Sequence, residues 1–306
     1  MKDNEAAFSI CQVTFQDRKN ETYIVVGTTK NFVLAPKKLE CGYLHVYKLN
    51  TVENSLKLEF IHKTQVEDIP GALCAFQGRL LAGIGKVLRI YDLGKRKLLR
   101  KCENKGFPRM IKSIQTQGDR IVVGDLSESF HFVKYKRYEN QLFIFADDTS
   151  PRWVTAGCML DYDTVAGGDK FGNIFICRLP KEVAEDVEDD PTAAHLQHVT
   201  STKGAPHKLS EITQFHVGEP ITHLTKASLV PGGASILIYA TIHGAIGALV
   251  PFVSRDDVDF FTRLEMYMRQ NLPPLCGRDH MAYRSYYFPV KVHTIPHPFS
   301  PPLFIS

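Results

Sequence analysis

The sequence predicts an all-β fold, an incomplete β-propeller of about five four-stranded blades, followed by a short α-helical segment. The first observation is a recurring pattern: an apolar β-branched run, a small residue, a polar or glycine turn, then a second strand. It reads as "RLLAGIGKVLRIYDL" (79–93), "RIVVGDLSESFHFVKY" (120–135), "DTVAGGDKFGNIFICRL" (163–179) and "SILIYATIHGAIGALVPF" (235–252), with a longer-turned copy over 23–49. The second is its pitch. The small residues ending the first strands are Gly27, Gly83, Gly124, Gly167 and Ala240, and the two middle intervals are 41 and 43 positions. Four-stranded propeller blades repeat at roughly 40–45 residues. The third is the change of period after Phe252, from alternation to a helical stripe.

The remaining strands fall where a blade needs them. Inner, more apolar candidates precede the hairpins: "GALCAF", "MIKSIQT", "RWVTAGCML" and "PITHLTKASLV". Outer, charge-bearing candidates follow: "KLEFIHKT", "KLLRKCE", "NQLFIFAD" and "EITQFHV". Inserts at 30–41 and 181–210 account for the two wide intervals of 56 and 73. The stretch "AGGDKFGN" reads as the fourth hairpin's turn, where Gly and Asn supply positive φ. It is not a calcium loop, because Val165 and Ala166 stand where acidic ligands would be needed. Over "SRDDVDFFTRLEMYMRQNLPP" the spacing predicts a helix across about 255–270. Ser254 caps it, Asp256 and Asp257 sit in the first turn, and Val258, Phe261, Leu264 and Met268 form a packing stripe. The domains expected are 1–252 (propeller part, with an acidic and polar loop insert at 181–210), 253–291 (helical extension) and 292–306 (Pro-rich tail).

Composition narrows the function. Hydrophobic residues make up 44% and charged residues 23%, the balance of a globular protein with a core. No apolar run is long enough for a membrane span, and "MKDNEAAFSICQVTF" lacks the pattern of a signal peptide. Seven scattered cysteines without C-x-x-C spacing read as reduced thiols. Net charge is +4, but the segment "KEVAEDVEDD" (181–190) contributes −5, so the rest carries +9. Such a basic body suits an RNA backbone or an acidic protein surface. The 181–210 segment, acidic and poor in apolar residues, reads as a mobile surface loop.

No catalytic or cofactor motif is legible, and no cofactor is expected. "GIGK" (83–86) lacks phosphate-loop spacing and reads as a hairpin turn. "HLQH" (195–198) and "CGRDH" (276–280) lack the second ligand pair of a metal site. Two basic segments remain as RNA-contact candidates: 94–101 with Lys95, Arg96, Lys97, Arg100 and Lys101, and 134–138 with Lys134, Lys136 and Arg137 interleaved with Tyr135 and Tyr138. The alternative is that they guard exposed strand edges.

Several strings are more specific than the repeat. "NEAAFS", "FQGRLLAGIGKVLRIYDLGKRKLLRKCENK", "YKRYENQLFIFADDTSPRWVT", "LDYDTVAGGDKFGNI", "PPLCGRDH" and "RSYYFPVK" resemble the splicing factor 3B subunit 3 family. More distantly the chain resembles damaged-DNA-binding protein 1 and the large subunit of the cleavage and polyadenylation specificity factor. The resemblance implies a nuclear, non-enzymatic scaffold of the splicing factor 3b complex of the U2 small nuclear ribonucleoprotein. The partners it implies are a HEAT-repeat subunit and a very small subunit, with RNA a further contact and no membrane. It also implies that the blades here belong to a seven-bladed third propeller, of which about two blades, with the first two propellers, lie outside this stretch. Partner capture by this stretch alone is then expected to be weak. The implied contact regions are 149–170 and 220–244, with Thr149, Arg152, Trp153, Asp161, Asp163, Asp169, Lys170, Pro220, His223 and Lys226. Isolated contacts fall at Arg109, where "GFPRM" departs from the family pattern, and at Lys291.

Overall fold

The computed structural model describes residues 4–52, 55–190 and 204–271. Lys291, Cys276, the "HLQH" and "CGRDH" strings, the extension beyond residue 271 and the tail 292–306 lie outside the described residues. Five antiparallel sheets follow one another along the chain in the manner of propeller blades, and a helix closes the described part. The first sheet comprises β1 (Glu5–Val13), β2 (Thr22–Lys30), β3 (Cys41–Val52) and β4 (Ser55–Val66). The second comprises β5 (Pro70–Phe76), β6 (Arg79–Ile84), β7 (Val87–Asp92) and β8 (Leu99–Asn104). The third has β9 (Ile111–Gln117), β10 (Arg120–Asp125), β11 (Phe130–Lys136) and β12 (Gln141–Asp147). The fourth has β13 (Val154–Met159), β14 (Thr164–Asp169), β15 (Asn173–Arg178) and, after an insert, β17 (Ser210–His216). Among the described residues the fifth has three strands of the expected four: β18 (Ile221–Ala227), β19 (Ile236–Thr241) and β20 (Ile246–Leu249).

The described residues form two compact units, one from 4–52, 55–154, 161–165, 179–190 and 204–210, the other from 155–160, 166–178 and 211–271. In the first unit the second sheet is buried on both faces. Leu80, Ala82, Ile84 and Tyr91 join Val25, Leu44, Val46 and Val66 of the first sheet in one core. Leu81, Leu88 and Ile90 join Ile111, Ile121, Val123 and Val133 of the third sheet in another. Alternation along β6 feeds both cores, which explains why the run reads as apolar throughout rather than as every second residue. In the second unit Ala156, Ala166, Ile174, Ile221, Leu224 and Leu237 form a smaller core.

In the first, second and fourth sheets a glycine near the end of the second strand permits the next sheet's first strand to come close, whereas a Cβ on Gly124 of the third would meet Ser113 and Phe130 of its own sheet. A Cβ on Gly27 would stand 2.9 Å from Pro70 Cβ, and one on Gly83 would stand 2.8 Å from Ile111 Cβ. In the second unit the equivalent residue is Gly168, whose Cβ would meet Ile221 Cβ at 2.6 Å, rather than the expected Gly167. Backbone bonds stitch the same region: Gly85 N–H donates to Ile69 O at 2.9 Å, and Ile111 N–H donates to Gly85 O at 2.9 Å.

Two local expectations need correction. The 181–210 insert is not simply a loop, since its first part is helix α1 (Lys181–Asp189). Val183 and Val187 are spaced i, i+4, and Val187 is fully buried, so one apolar stripe is enough to seat a helix that charge alone disfavours. Glu188 pairs with Lys134 of β11. Farther on, β16 (His207–Lys208) lies parallel to β12, making a fifth strand in the third sheet. Asp147 holds it: its carboxylate accepts from Ala205 N–H at 3.1 Å and pairs with Lys208, and its carbonyl accepts from Leu209 N–H at 2.9 Å. The second correction concerns helix α2 (Arg255–Asn271). Ser254 Oγ accepts from Asp256 N–H at 3.1 Å, as its capping role requires, but Phe261, Leu264 and Met268 are exposed rather than packed. Phe261 meets Phe252 and Phe260, with ring centroids 5.1 and 5.3 Å away.

The close approach at Gly83 sets a testable expectation. Gly83→Ala is expected to destabilise the fold by about 1–3 kcal/mol through overpacking against Ile111. In urea unfolding, Gly83→Ala combined with Ile111→Ala should cost less than the two single changes added together, because the methyl then fills the space that the isoleucine leaves. Strict additivity would contradict the contact.

Candidate interaction surfaces

The residues implied as partner contacts separate into two kinds. Thr149, Asp161, Lys170, His223 and Lys226 are exposed, as is Arg109, whose backbone N–H donates to Asp125 Oδ2 at 3.0 Å. Pro220 and Trp153 are half-buried, and the Pro220 carbonyl accepts from Ile242 N–H at 3.0 Å. The Lys226 ammonium donates to the Leu160 carbonyl, and Lys170 Nζ stands 5.0 Å from the Phe171 ring.

Arg152, Asp163 and Asp169 hold the fold itself. Arg152 is buried and paired with Asp148, while its carbonyl accepts from Ser129 N–H at 3.2 Å. Asp169 is fully buried at the end of β14. Its carboxylate accepts from the N–H groups of Phe171 and Asn173, both at 2.9 Å, and from the Asn173 amide at 2.8 Å. That arrangement builds the "GGDKFGN" turn, in which Gly172 alone takes positive φ (+87°) and Asn173 contributes its side chain rather than a left-handed backbone. Asp163 accepts from Arg120 Nη2 at 2.8 Å, and the Arg120 guanidinium lies 5.1 Å from the Phe145 ring and 4.5 Å from the Tyr162 ring. Asp161 in turn accepts the Asp163 N–H at 2.9 Å.

The two basic segments are similarly divided. Arg100 Nη1 donates to Glu103 at 3.2 Å, Lys101 lies 3.4 Å from Asp92, Lys136 3.1 Å from Glu139, and Lys134 pairs with Glu188. Arg137 Nη2 donates to Gln77 at 2.8 Å. Lys95, Arg96 and Lys97, in the turn before β8, are exposed and have no carboxylate partner among the described residues.

Tertiary structure adds partners that the linear reading missed. Lys63, Thr64 and Gln65 of β4, Arg89 and Tyr91 of β7, and Lys97 to Arg100 line one groove of about 580 Å³ in the first unit. The one signal in the sequence was Arg89 itself, a charge inside the apolar run "VLRIYD". Its burial opposes the charge, but hydrogen bonds with Glu67, Tyr91 and Glu103 outweigh it and hold the guanidinium above its ordinary range. Nε donates to Glu103 at 2.7 Å and Nη1 to Glu67 at 2.7 Å. In return the hydrogen bond from Arg89 holds the Glu67 carboxyl below its usual value, and Glu103 is lowered although burial works the other way. Lys63 donates to Glu5 at 2.6 Å and covers the Tyr43 ring at 3.4 Å.

Among the described residues no group of three or more His, Cys, Asp or Glu side chains is placed to hold a metal ion. The six described cysteines are free thiols; Cys41 and Cys177 are buried, and burial pushes Cys11 and Cys102 up to about 11.

Residues 1–300 match the model of the CPSF A subunit region. The chain belongs to that family. Similar proteins include spliceosome-associated protein 130 A of Arabidopsis thaliana, 59% identical over 293 residues, which are 95% of this chain and 24% of that protein. Splicing factor 3B subunit 3 of Drosophila melanogaster is 53% identical over 293 residues, with 95% and 24% covered. That of Danio rerio is 51% identical over 292 residues, with the same shares. The chain thus spans about a quarter of the length of these relatives.

Two outcomes follow from the ion pairs. Asp163→Asn leaves the buried Arg120 uncompensated and is expected to cost roughly 2–4 kcal/mol in chemical denaturation. A change that weakened partner capture at unaltered stability would contradict the structural role. Glu67 and Glu103 are both held below their ordinary 4.5, so the folded chain binds fewer protons than the unfolded one as pH falls through that value. Their stabilisation is complete above about 4.5 and is lost below it as each carboxyl protonates. Arg89→Gln should flatten the dependence of the unfolding midpoint on pH between about 5 and about 3.

Proposed function

We propose that this chain acts as a non-enzymatic scaffold in pre-mRNA splicing, within the splicing factor 3b complex of the U2 small nuclear ribonucleoprotein in the nucleus. The observation that carries the reading is the likeness, over 95% of the chain, to relatives named as splicing factor 3B subunit 3 or spliceosome-associated protein. The surface supports it: Thr149, Lys170, His223 and Lys226 are exposed side chains on strands and turns of a rigid sheet scaffold, the setting for contacts with a protein partner. The partners proposed are the HEAT-repeat subunit and the smallest subunit of that complex. Arg152, Asp163 and Asp169 support the contact surface from within instead of touching the partner. Direct RNA contact through 94–101 and 134–138 is the weaker reading, because of the two rings interleaved with these cations Tyr135 is buried, which leaves Tyr138 alone for a base to stack on.

Co-expression of the tagged chain with the two subunits, followed by size exclusion, tests the reading. The expected result is co-elution that is weak for this chain alone and stronger when it is extended to the length of its relatives. Lys170→Glu with His223→Glu should reduce capture at unchanged melting temperature. Absence of both subunits from the extended protein's peak would overturn the proposal.

A further inference from the structure

We infer that the groove between β4 and the turn leading into β8 is a docking site for an extended acidic peptide segment of a partner protein. Four cations, Lys63, Arg89, Lys97 and Arg100, line it, and no acidic residue does; Tyr91, Leu98 and Leu99 supply its apolar surface. Lys95 and Arg96 add exposed charge in the adjoining turn. The carboxylates that steady these cations, Glu5, Glu67 and Glu103, are not among the lining residues. They hold Lys63, Arg89 and Arg100 in position and thereby lower the ordering cost of binding an anion. Lys97 has no such partner among the described residues and is the free cation that a ligand carboxylate meets.

The shape fits a peptide. Strand β8 is the outer strand of its sheet, and Leu99 and Arg100 at its start line the groove, ahead of Lys101, whose carbonyl accepts from Asn140 Nδ2 at 2.8 Å; an extended segment laid along that start runs beside the basic side chains. The chain already uses the corresponding edge of the third sheet in this way. There β12 takes His207–Lys208 in parallel, with Ala205, His207 and Leu209 buried at every second position. An RNA strand fits less well. Tyr91 is the groove's one ring and is only 4% exposed, so no base can stack on it. The nearby Glu67, whose side chain is 56% exposed, opposes a continuous phosphate track but leaves room for separate carboxylates.

The test is fluorescence anisotropy on the full chain with a labelled peptide of alternating Asp and Glu, beside an oligouridylate of equal charge and a neutral Gly-Ser peptide. The acidic peptide is expected to bind, more tightly than either control. Lys97→Glu with Arg100→Glu should weaken binding by at least about tenfold. Lys86→Glu, on an exposed turn outside the groove, should leave it unchanged. Lys97→Gln with Arg100→Gln, which removes charge without adding repulsion, should still lower the affinity, and it decides the matter should the glutamate pair fail to fold. No binding of the acidic peptide, indifference to the Lys97 and Arg100 changes, or tighter binding of the oligouridylate would each overturn the inference.

Discussion

The architecture depends on one steric constraint. At the end of a sheet's second strand, the backbone must come close enough to the next sheet's first strand that a side chain has no room. Gly27 against Pro70 and Gly83 against Ile111 show it in the first unit, and Gly168 against Ile221 shows it in the second. Pro70, Ile111 and Ile221 each open the first strand of the following sheet. Close approach there lets the apolar faces of adjacent sheets meet along their length, as they do on both sides of the second sheet. In the three sheets that make this contact the repeat pitch is tied to packing, since the blade must return the chain to the same close approach.

Buried arginines form a second layer of order. Arg89, Arg120 and Arg152 are nearly inaccessible, and each meets at least one carboxylate. Such pairs add less net stability than apolar packing would, but an unpaired member is costly, so they penalise alternative registers. Arg120 has little hydrogen bonding beyond Asp163, with Nε and Nη1 unpartnered, and is held between aromatic rings instead. Arg152 and Asp163, two of the residues implied as partner contacts, are thus also internal ties.

That division matters for a scaffold. The proposed scaffold role needs an exposed surface kept in a fixed shape, so losing an internal tie and losing a contact are both expected to reduce assembly, but only the first to lower stability. Asp169 and Lys170 are neighbours in sequence with opposite roles: one builds the turn from inside, the other projects from it. The acidic insert shows the same economy. Its acidic helix is seated by one buried valine and one ion pair, and its short strand His207–Lys208 is clasped by Asp147 and joins the third sheet.

Sequence alone determined the strand pattern, a helix over about 255–270 with its Ser254 cap, and the family, because these rest on periodicity, turn chemistry and long matching strings that act locally along the chain. The inner and outer strands read from "GALCAF" to "EITQFHV" are all present as strands. Three features were decided only in three dimensions. Val187 seats a helix in a segment whose charge reads as a loop, because burial against a neighbouring element outweighs propensity. Asp163 and Asp169 look like surface acids until Arg120 and the backbone of the "KFGN" turn are placed beside them. The basic groove joins Lys63, Arg89 and Lys97 from separate strands and a turn, and no spacing in the sequence announces that meeting, because it arises from two sheets packing face to face.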